Sequence, residues 1–156
     1  MNILIDSLIS GGQTGVDRAA LQVALDLGIP CGGWCPRGRR AEDGRIPAKF
    51  PLRESTSRNY AVRTRLNVDE SDGTLILSRG KLTGGTALTE SIARQNQKPC
   101  LVIDLMAELD AQAVEEWIAE NRIRTLNVAG PRESQQAGIF NQACEYLREF
   151  IKSAAE

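Results

Sequence analysis

The chain has 156 residues, of which 42% are hydrophobic and 25% charged, with a formal net charge of -1. That is the size and make-up of one ordinary globular domain, which excludes disordered and fibrous classes. It contains no histidine, so Ser/His/Asp and Cys/His relays and histidine metal sites are excluded, and the side chain that usually moves protons near neutrality is missing.

Short continuous apolar runs alternate with longer amphipathic ones. This pattern predicts an α/β fold: a single doubly wound, mainly parallel sheet with helices on both faces, formed by residues 1–156 as one Rossmann-like ligand-binding domain. Strands are expected at 3–9, 30–34, 73–78, 100–104 and 124–128, and helices at 15–27, 58–69, 86–97, 111–121 and 134–152. The start, MNILIDSLIS, has no basic region and carries Asp6 within its apolar run, so no secretory signal is expected. The longest charge-free stretch, Ser134 to Cys144, is eleven residues, too short for a membrane span. A cytoplasmic protein follows as the expectation, with Cys31, Cys35, Cys100 and Cys144 as reduced thiols.

The first strand runs into Ser10-Gly11-Gly12-Gln13-Thr14-Gly15-Val16-Asp17-Arg18 and then into a helix. A strand, a glycine-rich turn and a helix start together expose backbone N–H groups to an anion. Gly11, Gly12, Gln13, Thr14 and Gly15 are therefore candidate binding residues, with Arg18 as a charged contact. The spacing is neither the Walker pattern nor GxGxxG. Asp17 either favours the positive end of the helix dipole or accepts hydrogen bonds from a sugar or base.

Between Cys35 and Ser57 lies a proline-rich and glycine-rich segment of about twenty residues without periodicity, a length that is usually functional or disordered. Ile46, Phe50 and Leu52 are expected to pin it to the body. It opens a basic stretch: from Arg37 to Arg65 there are nine basic residues against three acidic ones, a local charge of +6 in a chain of net -1. Such asymmetry points to a small anionic ligand rather than a nucleic-acid polymer, the alternative being a solvated Arg-rich face. Arg37, Arg39 and Arg40 would close over the anion, and Trp34 would stack on a heterocycle. Cys31 and Cys35 are too widely spaced for the usual zinc and redox motifs, and no metal site is expected. Cys35 stays open as a soft-metal contact beside its simpler reading as a small buried hydrophobe.

A second glycine-rich turn follows the third strand. It reads Arg79-Gly80-Lys81-Leu82-Thr83-Gly84-Gly85-Thr86-Ala87-Leu88-Thr89-Glu90 and again opens a helix. In a parallel sheet both turns lie at the carboxyl ends of strands, where ligands bind. Arg79, Thr83, Gly84, Gly85 and Thr86 are candidate binding residues. Glu90 and Asp17 are the candidate acids or bases, with an exposed first-turn glutamate as the plain alternative for Glu90. After the last strand, Gly130-Pro131-Arg132 either brings Arg132 to an anion site or forms an ordinary turn.

Taken together, SGGQTGVDRAAL (10–21), GGWCPRGRRAEDGRIP (32–47), FPLRES (50–55), SDGTLIL (71–77), RGKLTGGTALTE (79–90), KPCLVIDL (98–105) and NVAGPRES (127–134) resemble the molybdenum cofactor carrier family. That family is one of the Rossmann-like proteins related to the lysine-decarboxylase-like LOG proteins. The resemblance runs through nearly the whole chain and implies a doubly wound domain that binds a phosphorylated, nucleotide-like ligand. It implies molybdenum cofactor (molybdopterin) as cargo, and a homo-oligomer. LOG-type phosphoribohydrolases carry PGGxGTxxE. Here Ala87 and Leu88 stand where that motif has Gly and Thr, and its Glu position falls on Ser91 with Glu90 one residue early, a turn of about 100° on a helix. The expectation is a binding or carrier protein, with a nucleotide-processing N-glycosidic hydrolase as the alternative. A nicotinamide-dependent dehydrogenase is disfavoured by the absent fingerprint.

Overall fold

The computed structural model describes residues 5–151. Its strands are β1 (Ser7–Ile9), β2 (Cys31–Gly32), β3 (Trp34–Cys35), β4 (Arg40–Ala41), β5 (Gly44–Arg45), β6 (Arg53–Glu54), β7 (Gly73–Ser78), β8 (Cys100–Asp104) and β9 (Thr125–Ala129). Its helices are α1 (Val16–Leu27), α2 (Tyr60–Glu70), α3 (Gly84–Gln95), α4 (Ala111–Glu120) and α5 (Ile139–Ile151). Among the described residues no helix is long and apolar enough to cross a membrane.

Five strands form the central sheet in the order β2-β1-β9-β7-β8, every pair parallel. A parallel sheet must be covered on both faces, and the all-buried GTLILS of β7 reads as its centre. On one face Leu8, Leu75, Leu77, Leu126 and Val128 pack against Val16 and Ala20 of α1, Val114 and Ile118 of α4, and Leu147 and Phe150 of α5. On the other, Val68 of α2 meets Ile92 and Ala93 of α3. Each large side chain so buried contributes about 1.5–3 kcal/mol of transfer free energy. The expected doubly wound α/β architecture is what the chain adopts.

The strand order has a further reading. If the chain is treated as a circle opened before β9, the central strands follow the order 3-2-1-4-5, the common doubly wound arrangement. The winding then reverses between β9 and β7: from β9 the chain turns through α5 toward β1, and from β7 through α3 toward β8. The carboxyl ends of these two strands flank the crevice where ligands bind in such sheets.

Besides a first strand that covers only Ser7–Ile9 of the expected 3–9 and shifts of one or two residues at helix ends, the structure differs from expectation in three places. The predicted strand at 30–34 is broken at Gly33, whose φ of 124° admits no side chain comfortably and whose Cβ would lie 2.2 Å from the Ser10 carbonyl oxygen. The predicted helix at 134–152 begins only at Ile139. The Glu133 carboxylate accepts from the N–H groups of Gly138 and Phe140 at 2.5 and 2.9 Å, and Gly138 sits at φ 85°, so the five residues before Ile139 form turns. The segment expected as a loop at 35–57 is tied down by short pairings, β3 with β6 and β4 with β5, and by the buried Ile46 and Phe50, which form a small core with Leu21 and Cys35 against which Leu52 packs. Residues 3, 4 and 152 of the predicted elements lie outside the described residues.

Two glycines separate steric from conformational effects. Gly33→Ala is expected to cost more than about 2 kcal/mol, because strain and a backbone clash add. Gly28→Ala, at φ 72° but with nothing within 4 Å of its Cβ, is expected to cost about 1 kcal/mol. Urea denaturation of the two variants checks this, and equal costs would refute it.

Candidate functional site

A cleft of ≈ 290 Å³ opens at this crevice, near the lower limit for small-molecule sites. Four segments meet there: Gln13 from the β1–α1 turn with Asp17 from the first turn of α1, Tyr60, Arg63 and Thr64 from α2, Gly85, Thr86, Leu88 and Thr89 from α3, and Ala129, Gly130, Arg132 and Gln135 from the end of β9 onward.

At its floor an arginine lies across a glycine. A Cβ on Gly11 would sit 1.8 Å from Arg63 Nη1, so only glycine admits the guanidinium. Arg63 Nη1 is 3.5 Å from Asp17 Oδ2, and the two side chains are 14% and 4% exposed. The Arg63 Nε is buried with no hydrogen-bond partner among the described residues. Burial pushes the Asp17 carboxyl up to about 6, against the lowering effects of Arg63, the Gln13 N–H, Arg18 and the Gly130 N–H. A chain without histidine thus carries, inside a cleft, a group that titrates near neutrality.

The two glycine-rich turns differ. In the first, four N–H groups are spent within the protein: Gly12 donates to Ser10 Oγ, Gln13 to Asp17 Oδ2, Thr14 to Gln13 Oε1 and Val16 to the Pro131 carbonyl. Gly15, at φ 78°, lies against that same carbonyl, and Gly12 is covered by Leu52 and Ile46. In the second, α3 starts without a side-chain cap from Thr83, and no atom lies within 4 Å of a Cβ placed on Gly84 or Gly85. The first-turn N–H groups of a helix have no intrahelical partner, so here they face open space with the positive end of the helix dipole behind them.

Of the residues singled out from the sequence, Gln13, Asp17, Gly85, Thr86 and Arg132 line the cleft. Thr83 and Gly84 stand at the start of α3, and Gly11 lies under Arg63; most of the others are engaged elsewhere. Arg39 is buried and donates to the carbonyls of Ile46, Pro47, Phe50 and Leu52, holding the long segment in place. Arg37 and Arg40, exposed on that segment, do not line the cleft. Trp34 has Arg53 over its ring at 4.1 Å, and its Nε1 donates to Glu70, so one ring face and the indole N–H are taken, and the residue does not line the cleft. Arg18 pairs with Asp43 at 2.5 Å. The Thr14 hydroxyl donates to Glu42, and both threonine and carboxylate line a second, more open groove of ≈ 760 Å³. Arg79 donates to Gln142 and to the Ala137 carbonyl, securing the turn before α5. Glu90 pairs with Arg94 at 2.9 Å one helical turn on. It does not line the cleft, since the face that carries Thr86 and Thr89 inward turns it away. Cys35 is fully buried in the small core, where desolvation pushes its thiol up. Among the described residues no group of three or more Cys, Asp or Glu is placed to hold a metal ion.

Tyr60, Arg63, Thr64 and Gln135 were not singled out from the sequence. Arg63 was legible only as one of nine basic residues; the signal that separates it is Gly11, whose missing side chain makes its room.

The match to a family model extends over residues 8–151, and its description names a circular permutation like the one visible in the strand order. The chain belongs to the circularly permutated YpsA SLOG family. Among solved structures it is similar to a protein from Syntrophus aciditrophicus SB named "putative molybdenum carrier protein", with 45% identity, a TM-score of 0.93, and coverage of 97% of this chain and 98% of that one. No curated protein matches.

Asp17 makes stability depend on pH with a defined sign. Its proton is held more tightly in the folded protein (about 6) than at the ordinary value of 3.8, so its contribution is fully present below about pH 4 and is lost as pH rises to about 6. The wild type is expected to lose about 2–3 kcal/mol relative to Asp17→Asn between about pH 4 and pH 7. Thermal melts of both proteins at the two pH values check this; a constant difference, or one of opposite sign, rejects it.

Proposed function

We propose that the chain is a small-molecule carrier that holds a phosphorylated, nucleotide-like ligand in the cleft between β7 and β9, with molybdenum cofactor as the cargo suggested by the name of the similar Syntrophus protein. The observation that carries the reading is the uncapped, glycine-flanked start of α3 opening onto a cleft that also receives Arg63 and Arg132. Free N–H groups, a helix dipole and guanidinium groups are the chemistry that holds a phosphate. The anion cradle in this reading is Gly84-Gly85-Thr86 rather than the first turn.

A second reading, cleavage of an N-glycosidic bond, rests on Asp17, the carboxyl that lines the cleft and titrates near neutrality. It assigns no role to Glu90. Release of free base from nucleoside monophosphates, abolished in Asp17→Asn, would favour it over carriage. The homo-oligomer expected from the sequence finds support in β8, a sheet-edge strand whose Leu101, Val102 and Ile103 are half-buried.

Gly85→Asp tests the cradle without loss of fold. An acidic residue in the first helical turn suits the dipole, and there is room for the side chain, but its charge would occupy the anion's position. Molybdopterin or a nucleoside monophosphate at about 100 times its dissociation constant is expected to stabilise the wild type by about 2.7 kcal/mol and the variant by less than about 0.5 kcal/mol. Differential scanning fluorimetry measures both; equal stabilisation of wild type and variant, or no stabilisation of the wild type by any of these ligands, overturns the proposal.

A further inference from the structure

Residues 80–83 lead from the end of β7 into α3, and both ends of this short span are held. Upstream, the Arg79 N–H donates to Gln136 Oε1 at 2.9 Å, the Arg79 carbonyl accepts from Gln136 Nε2 at 3.1 Å, and the Gly80 N–H donates to Asp104 Oδ1 at 3.1 Å. Downstream, the Thr83 carbonyl accepts the Ala87 N–H at 3.2 Å. In between, neither Lys81 nor Leu82 makes a hydrogen bond to the described residues, and the exposed Lys81 ammonium has no carboxylate partner among them. Gly80 and Gly84 bracket the span at φ 68° and 51°, with open space where a Cβ would stand. Glycine crosses between positive and negative φ at little cost, so a fixed stem with a glycine at each end of an untethered span is the build of a hinged strap.

The strap runs into the part of the cleft that lacks charge of its own. Thr86 is 6% exposed and lines the cleft. Its hydroxyl bonds to none of the described residues and is not sealed from solvent, so it opens into the cleft as a donor for a ligand oxygen. Arg63 and Arg132 bring positive charge from α2 and from the turn after β9, whereas the α3 side offers only N–H and hydroxyl groups. An anion held there keeps a side in water, where charge interactions are weakest. Lys81 stands three residues before Gly84, a chain reach of at most about 10 Å, and carries its ammonium on a flexible four-carbon stem. It does not line the cleft in this conformation; a swing about Gly80 and Gly84 would bring it over the start of α3. We infer that residues 80–83 are a strap that closes over a phosphate bound at α3, with Lys81 as a further phosphate-contacting residue. This rests on the phosphorylated-ligand reading and deepens it by naming the group that retains the ligand, since closure excludes water from the anion and slows its release.

Trypsin reads the strap directly, because it cuts after lysine and arginine and because an exposed, unbonded span is where proteases nick a folded chain. The full chain is digested with and without molybdopterin, AMP or GMP, and the cuts are mapped by mass spectrometry. With a ligand that binds, cleavage after Lys81 is expected to slow on the order of 10-fold, in proportion to the loss of the open form. Cleavage after Arg37 and Arg40, which are exposed outside the cleft, is expected to stay within about 2-fold. Isothermal titration supplies the second readout. Lys81→Ala, a change at an exposed position, is expected to bind the same ligand about 10-fold more weakly than wild type. Lys49→Ala removes the same charge from a residue that does not line the cleft and is expected to bind as wild type does. Equal slowing of all three cuts, or wild-type affinity in Lys81→Ala, overturns the strap while leaving the cradle at α3 standing. Absence of binding of all three ligands to the wild type overturns both.

Discussion

The contact between Arg63, Gly11 and Asp17 is the constraint on which the rest of the site depends. A guanidinium and a carboxylate, nearly removed from water, are tolerable only as partners, since loss of either leaves a buried charge uncompensated. Their pairing joins α2 to the start of α1, and thereby the helix pair on one face of the sheet to a helix on the other. It also fixes the glycine-rich turn in a conformation in which the N–H groups of Gly12, Gln13, Thr14 and Val16 are consumed internally, so that the turn serves as the floor of the cleft and as the tether of Gln13. The free donors are left to α3.

Electrostatics follow from the same arrangement. The basic excess at residues 37–65 looked like a lid for an anion. In three dimensions its members divide: Arg39 serves as a multidentate donor that replaces secondary structure in a segment with little of its own, Arg53 covers Trp34 and pairs with Glu70, and Arg63 alone of the nine reaches the cleft. Positive potential in the cleft comes from Arg63, from Arg132, and from the start of α3. Asp17 is the counterweight, an acid kept from full comfort in its ionised form by burial and held there by Arg63 and two N–H groups.

The long segment between Cys35 and Ser57 shows how such a cleft is shaped from outside. Arg39 and the small core of Leu21, Cys35, Ile46 and Phe50 hold it against the first turn, where Ile46 and Leu52 lie over Gly12. Glu42, carried on the hairpin of β4 and β5, accepts from Thr14 and Ser134 hydroxyls and lies 3.9 Å from Arg132. The segment thus steadies two walls of the cleft, one from the β1–α1 turn and one from the turn after β9, without lining the cleft itself.

The sequence by itself determined the parallel α/β class, the positions of β7, β8 and β9 to within a residue, the two glycine-rich turns and five of the cleft-lining residues. These are local signals: an apolar run of strand length, helical periodicity, and glycines where backbone must turn. It could not show that β9 inserts between β1 and β7, because strand order is set by which crossovers cover both faces of the sheet. Nor could it separate Arg63 from eight other basic residues, or Glu90 from Asp17 as the acid in the cleft. Those distinctions depend on which way a side chain points and what excludes water around it. Only the packing of α2 and α3 on the sheet, which buries Asp17 and leaves Glu90 outside the cleft beside Arg94, decided them.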